Sequence, residues 1–106
     1  SVTIKEFVAP TLNTTSKNIS SIKNNGGSTT VTVTPPTDGY GYKVKSYDSY
    51  YISYSNSGNN YTINSVRVGS TSIVFCNKMD DTKTATLYVT INNTIKNYLT
   101  IIFFYF

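Results

Sequence analysis

Residues Thr30 to Thr34 read threonine, valine, threonine, valine, threonine. Strict alternation of polar and apolar side chains is the period of a strand with one face in a core and the other in water. The pattern returns at Thr84–Ile91, where Ala85, Leu87, Val89 and Ile91 share one face and Thr84, Thr86, Tyr88 and Thr90 the other. Shorter stretches read the same way. They are Val2–Ile4 with Val8, closed by Pro10; Tyr40, Tyr42 and Val44 opposite Lys43 and Lys45; Tyr50–Tyr54; Tyr61 and Ile63, continuing toward Val66; Thr71–Cys76; and Thr94–Phe106. Thr11–Ile22 fits a short strand or a single helical turn. Turns are predicted at Asn24–Gly27, Asp38–Gly39, Asn56–Asn60, Gly69–Ser70, Met79–Lys83 and Asn92–Asn93, where Gly, Asn and Asp accept backbone conformations that other residues avoid. Pro35–Pro36 closes the Thr30–Thr34 strand, because proline has no N–H for a ladder. About nine short strands with turn signals every ~8–12 residues predict an all-β, antiparallel sandwich.

Composition sharpens this reading. Val, Ile and Thr make up 36 of 106 residues, with ten Tyr and five Phe, against three Leu and two Ala. These side chains fit a pleated, half-buried surface, and good helix formers are scarce. No linker or charge block divides the chain, so residues 1–106 read as a single domain.

Charge and chemistry then narrow the function classes. Nine Lys plus Arg against five Asp plus Glu give a net charge of +4. The basic residues are scattered, and only Lys43 and Lys45 share a strand face, which is a weak phosphate footprint, so no nucleic-acid partner is expected. The longest apolar run is too short to cross a bilayer, and no membrane partner is expected. The chain opens without a basic, apolar and small-residue leader, and Ser1 reads as a start exposed by removal of an initiator Met. The expectation is either that a secretion signal was already trimmed or that the protein is made and used inside a cell. With no His, one Cys and no Trp, most metal sites and acid–base devices lack their parts. Cys76 ends an apolar run and reads as a packed thiol with no base to activate it. Turn chemistry accounts for Asp80–Asp81 better than a calcium site with Asp48 does, since no known loop spacing is present. The expectation is a protein that is not an enzyme and carries no cofactor.

The stretch Tyr47–Ile91 resembles the bacterial immunoglobulin-like domains of adhesins and phage structural proteins. The residues that carry the likeness are Gly58–Asn59–Asn60–Tyr61–Thr62–Ile63, Val66–Arg67–Val68–Gly69–Ser70–Thr71–Ser72–Ile73, and Leu87–Tyr88–Val89–Thr90–Ile91. The resemblance implies an immunoglobulin-like antiparallel β-sandwich. Two departures stand out. The family's Trp-Ser-Ser-like strand is replaced by Tyr47 and Asp48, and an extra segment, Asn92–Phe106, implies an additional C-terminal strand.

That last segment is apolar on both faces of any strand it forms. Leu99, Ile101, Phe103 and Tyr105 go one way, and Tyr98, Ile102, Phe104 and Phe106 the other. A lone sandwich buries one face of an edge strand, so the second face is covered either by the Thr11–Ile22 segment or a long loop of the same chain, or by another protein at Leu99, Ile101, Ile102, Phe103, Phe104, Tyr105 and Phe106. The leading expectation is a non-catalytic structural protein on a virion surface, a phage capsid decoration or tail-associated protein that binds capsid or tail subunits and itself. The alternatives are a module of an adhesin on the bacterial cell surface and a carbohydrate-binding module. The last rests on Tyr40, Tyr42, Tyr47, Tyr50, Tyr51 and Tyr54, whose rings offer stacking faces for surface glycans, against the alternative that they are core residues and cross-strand pairs.

Overall fold

The structure is a computed structural model and describes residues 6–20 and 27–92. Among these residues the alternating segments form eight strands: β1 (Thr11–Leu12), β2 (Ser16–Ile19), β3 (Ser28–Thr34), β4 (Tyr42–Tyr47), β5 (Ile52–Ser57), β6 (Asn60–Ser65), β7 (Gly69–Asn77) and β8 (Asp80–Ile91). They build two four-stranded sheets, ordered β1-β3-β6-β5 and β2-β8-β7-β4. The apolar faces of the two sheets meet. Val31, Val33, Ile52, Tyr61 and Ile63 come from the first sheet, and Ile19, Ile73, Phe75, Leu87, Val89 and Ile91 from the second. The chain is an all-β sandwich, as its alternation predicts.

Threonine marks the other side of each sheet. Thr30, Thr32 and Thr34 face solvent while Val31 and Val33 between them are buried. On β8, Leu87, Val89 and Ile91 are buried and Tyr88 and Thr90 exposed. Burying each such aliphatic side chain contributes about 1.5–3 kcal/mol relative to leaving it in water, so a one-residue slip in register would turn the core outward.

The structure departs from the sequence expectation in several places. The sandwich is not antiparallel throughout, because β2 pairs with β8 in parallel. β1 lies in the first sheet and β2 in the second, with Asn13–Thr15 between them. So short a link moves the chain between sheets without reversing it. Val8 lies in no strand, and a strand begins after Pro10 where one was expected to end. The Thr11–Ile22 stretch, where a short strand or a helical turn was expected, holds β1 and β2. Tyr50 and Tyr51 sit in a turn ahead of β5, not in the strand. There Asp48 Oδ1 accepts the Tyr50 N–H, and the Asp48 carbonyl accepts those of Tyr51 and Ile52. The expected Asn56–Asn60 loop is a two-residue hairpin tip, Gly58–Asn59, with glycine at φ 59° in the first central position. The expected Met79–Lys83 turn is shorter too. Lys78–Met79 forms the tip and Asp80 already belongs to β8, with the register then shifting across Asp81–Lys83. The expectations at Val2–Ile4, at Asn24–Gly26 of the first turn, and from Asn93 onward lie outside the described residues.

Gly69 does something other than turn the chain between sheets. It is the first residue of β7, paired with Ile91, and holds φ at +148°. The edge of the Tyr51 ring lies where a side chain would go, and a Cβ there would meet Tyr51 Cε1 at 2.6 Å. Glycine thus answers both a backbone conformation that L side chains rarely adopt and a ring laid on bare backbone. Gly69→Ala is expected to destabilise the protein by roughly 2 kcal/mol or more, from backbone strain and the clash together. In a Tyr51→Ala background the same substitution is expected to cost less, because the clash is gone and the strain remains. Urea unfolding of the four proteins measures both costs, and equal costs in the two backgrounds would remove the Tyr51 contact from this account.

Candidate functional site

β5 is the outermost strand of the first sheet and β4 that of the second, and the Asp48–Tyr51 connection joins them at one flank of the sandwich. The tyrosines singled out by sequence gather around this flank but do not form one platform. Tyr42 turns inward from β4 and packs 6.2 Å from both Tyr61 and Phe75. Tyr47 and Tyr54 meet edge to face at 5.0 Å and 88°, and Tyr54 leads on to Tyr61 at 5.9 Å. Tyr50 and Tyr51 make a second edge-to-face pair at 5.0 Å. Arg67 stacks over Tyr50 with its guanidinium carbon 4.1 Å from the ring centre, and its Nη1 donates to the Tyr50 carbonyl. Tyr40 stands apart, packed edge-on against Phe7 at 5.5 Å.

Rings set nearly perpendicular satisfy each other's edges and faces. That arrangement favours cohesion over a coplanar stacking surface. Beside Tyr47, the residues Ser46, Tyr47, Asp48, Thr71 and Ser72 line an open depression of about 360 Å³. Its chemistry is hydroxyl and carboxylate. The interface expectation at Leu99, Ile101, Ile102, Phe103, Phe104, Tyr105 and Phe106 lies outside the described residues.

The carboxylates serve the backbone. Asp48 caps its turn, and Asp80 Oδ1 accepts both the N–H and the hydroxyl of Thr82. These two bonds, helped by Lys83, hold the Asp80 carboxyl below its ordinary range. Asp38 belongs to a polar clasp that the sequence reading missed. Buried Asn77 donates from Nδ2 to the Val8 carbonyl (2.7 Å) and to Asp38 Oδ2 (2.8 Å), while its Oδ1 accepts the Met79 N–H. Asp38 Oδ2 also accepts the Val8 N–H (2.9 Å), so both peptide groups of Val8 are held. The only signal in the sequence is a lone Asn ending the apolar run Ile73–Cys76.

Neither the models of known protein families nor the curated proteins give a match to this chain. Among solved structures, the chain is similar to domains 4 and 5 of the S-layer protein SbsC, with a TM-score of 0.54 and 23% identity, over 82% of this chain and 54% of that one. The chain thus spans about half the length of that structure. The likeness is one of fold, and it agrees with the two-sheet sandwich.

The Tyr42 hydroxyl donates to Asn59 Oδ1 (2.7 Å), and its pKa is raised above the ordinary tyrosine range, first by burial and then by the neighbouring Tyr61 hydroxyl. The folded chain therefore holds this proton more tightly than the unfolded chain. Its stabilising contribution is complete below the unfolded value of about 10 and is lost as pH rises from there through the raised folded value. Thermal unfolding from pH 8 to pH 11 is expected to show a steeper alkaline loss for the wild type than for Tyr42→Phe, and parallel profiles would contradict it. Asn77→Ala is expected to lower stability by about 1–3 kcal/mol, since Asp38 and Val8 lose a buried partner. Hydrogen exchange at the Val8 amide is expected to speed up in that variant, and an unchanged rate would dissociate Asn77 from the anchoring of this segment.

Proposed function

We propose that this chain is a non-catalytic, immunoglobulin-like structural module of a protein displayed on a bacterial cell surface. The observation that carries the proposal is the fold likeness to domains of an S-layer protein. The strand order supports the immunoglobulin-like part. In that fold one sheet is ordered first, second, fifth, fourth and the other holds the third, sixth and seventh strands. If β1 and β2 together count as the first strand, split between the sheets, the orders β1-β3-β6-β5 and β2-β8-β7-β4 follow this scheme.

The surface chemistry points the same way. The outer face of the first sheet is built from Ser28, Thr30, Thr32, Asn60, Thr62, Asn64, Ser53, Ser55 and Ser57, with no charged residue among them. Small hydroxyl and amide side chains stay hydrated at any salt concentration, which suits a wall or spacer in an unbuffered medium. The acidic groups Asp38, Asp48 and Asp80 accept backbone N–H groups, Asp38 from Tyr40 and the distant Val8, and are committed to shape. The reading as a virion decoration or tail-associated protein rests on Leu99–Phe106, outside the described residues, and no described residue favours it over the cell surface.

An antibody raised against the folded chain decides the location. Intact cells of the producing strain are expected to bind it and to lose the signal after brief external protease treatment. Signal that appears only after lysis, or that travels with purified virus particles, would overturn the proposal.

A further inference from the structure

Among the described residues the two sheets have four edges, and three are blunted. β1 has two residues and β2 four. β4 is interrupted by a bulge between Val44 and Ser46 and carries exposed Lys43 and Lys45, with Lys45 Nζ reaching across to the Asp81 carbonyl. Short length, bulges and lysines are the devices by which natural sheets prevent edge pairing. β5 has none of them. Its six residues, Ile-Ser-Tyr-Ser-Asn-Ser, stay in unbroken register with β6 and hold no charge and no proline, and no charged residue occurs from Ile52 to Val66.

The direction of the backbone groups follows from the hairpin. The two-residue tip makes Ser57 and Asn60 a hydrogen-bonded pair, so the peptide groups of Ser53, Ser55 and Ser57 face β6. On the far side of β6, Ser65 N–H donates to the Gly27 carbonyl, as this alternation requires. The groups of Ile52, Tyr54 and Asn56 therefore face away from the sheet. The Ile52 N–H is taken by the Asp48 carbonyl. The carbonyls of Ile52, Tyr54 and Asn56 and the N–H groups of Tyr54 and Asn56 remain, and no strand among the described residues pairs with them.

We propose that this edge pairs antiparallel with β5 of a second copy of the chain, about a two-fold axis at Tyr54, joining two first sheets into one eight-stranded sheet. An antiparallel pair of identical strands is self-complementary under such an axis. Tyr54 and Tyr54 of the second copy exchange two hydrogen bonds, and each Asn56 N–H meets the Ile52 carbonyl opposite. Charge does not oppose the approach, since both edges and their outer faces are neutral. The Tyr47–Tyr54 pair lies beside the junction, with Tyr47 42% exposed, and supplies aromatic surface of the kind that dominates interface energies.

The register makes the test specific, because Ser53 of one copy lies opposite Ser55 of the other on the outer face. Sedimentation equilibrium of the full chain, up to about 1 mM because so short an edge binds weakly, is expected to show the mass rising from 11.8 kDa toward twice that value. The double substitution Ser53→Lys with Ser55→Lys sets like charges opposite each other and is expected to weaken association at least tenfold. Ser53→Glu with Ser55→Lys sets opposite charges there and is expected to retain it. Circular dichroism melting confirms that each variant folds, and Asn56→Pro, which removes an outward N–H, carries the same test if the lysine variant does not. A wild-type chain that stays monomeric throughout overturns the proposal. So does association that the lysine and proline variants leave intact, which would place the contact elsewhere or on a different partner.

Discussion

The contact between Tyr61 and Phe75 holds the two sheets in their relative position. The rings meet edge to face, with centres 5.0 Å apart, one from β6 and the other from β7. Both strands are interior to their sheets, so this pair crosses the middle of the sandwich. Tyr42 and Tyr54 close on it from the two edge strands. On the other side Leu87, Val89 and Ile91 of the second sheet and Val31 and Val33 of the first form the aliphatic part of the core. Edge-to-face rings add a preferred mutual orientation to the area they bury, so the aromatic end favours one arrangement of the two sheets. The Tyr42 and Tyr54 rings pack against Tyr61 from either side and close the aromatic end of the core at this flank.

The parts legible in the sequence are those governed by short-range periodicity. Thr30–Thr34 and Thr84–Ile91 show their buried and exposed faces residue by residue, because inward and outward alternation is a property of the strand itself. Strand ends were less legible. Tyr50 and Tyr51 look like strand residues by type, yet the capping Asp48 pulls their backbone into a turn, and a local hydrogen bond outranks propensity. Asp80 joins β8 despite its turn-forming character because the two-residue tip ahead of it completes the reversal. The parallel pairing of β2 with β8 left no trace at all, since it depends on residues some seventy positions apart.

The candidate site was legible only as a list of residue types. Six tyrosines within fifteen residues suggest a surface, but the sequence does not show which face the core takes. Tyr42 goes to the core and Tyr40 to Phe7, and Arg67, sixteen residues after Tyr51, closes over Tyr50. Each of these outcomes depends on the closure of the sandwich. The Asn77–Asp38–Val8 clasp shows the same limit more sharply. Its three residues are separated by 30 and 39 positions, and none is unusual by type.

The same separation of scales explains how the fold divides stability from contact. The start of β7 is under strict demand, since even a methyl group at Gly69 would meet the Tyr51 ring. The outer face of the first sheet is under almost none, and any small polar residue would keep it hydrated. Yet its residues are uniformly uncharged over three strands, while the second sheet carries Lys43 and Lys45 on its exposed edge strand. Random polar substitution would place lysines and glutamates on both sheets alike. A neutral face next to an unguarded edge, on a chain with net positive charge, is therefore a property of one side of the molecule, and that side is where contact with other surfaces meets the least electrostatic resistance.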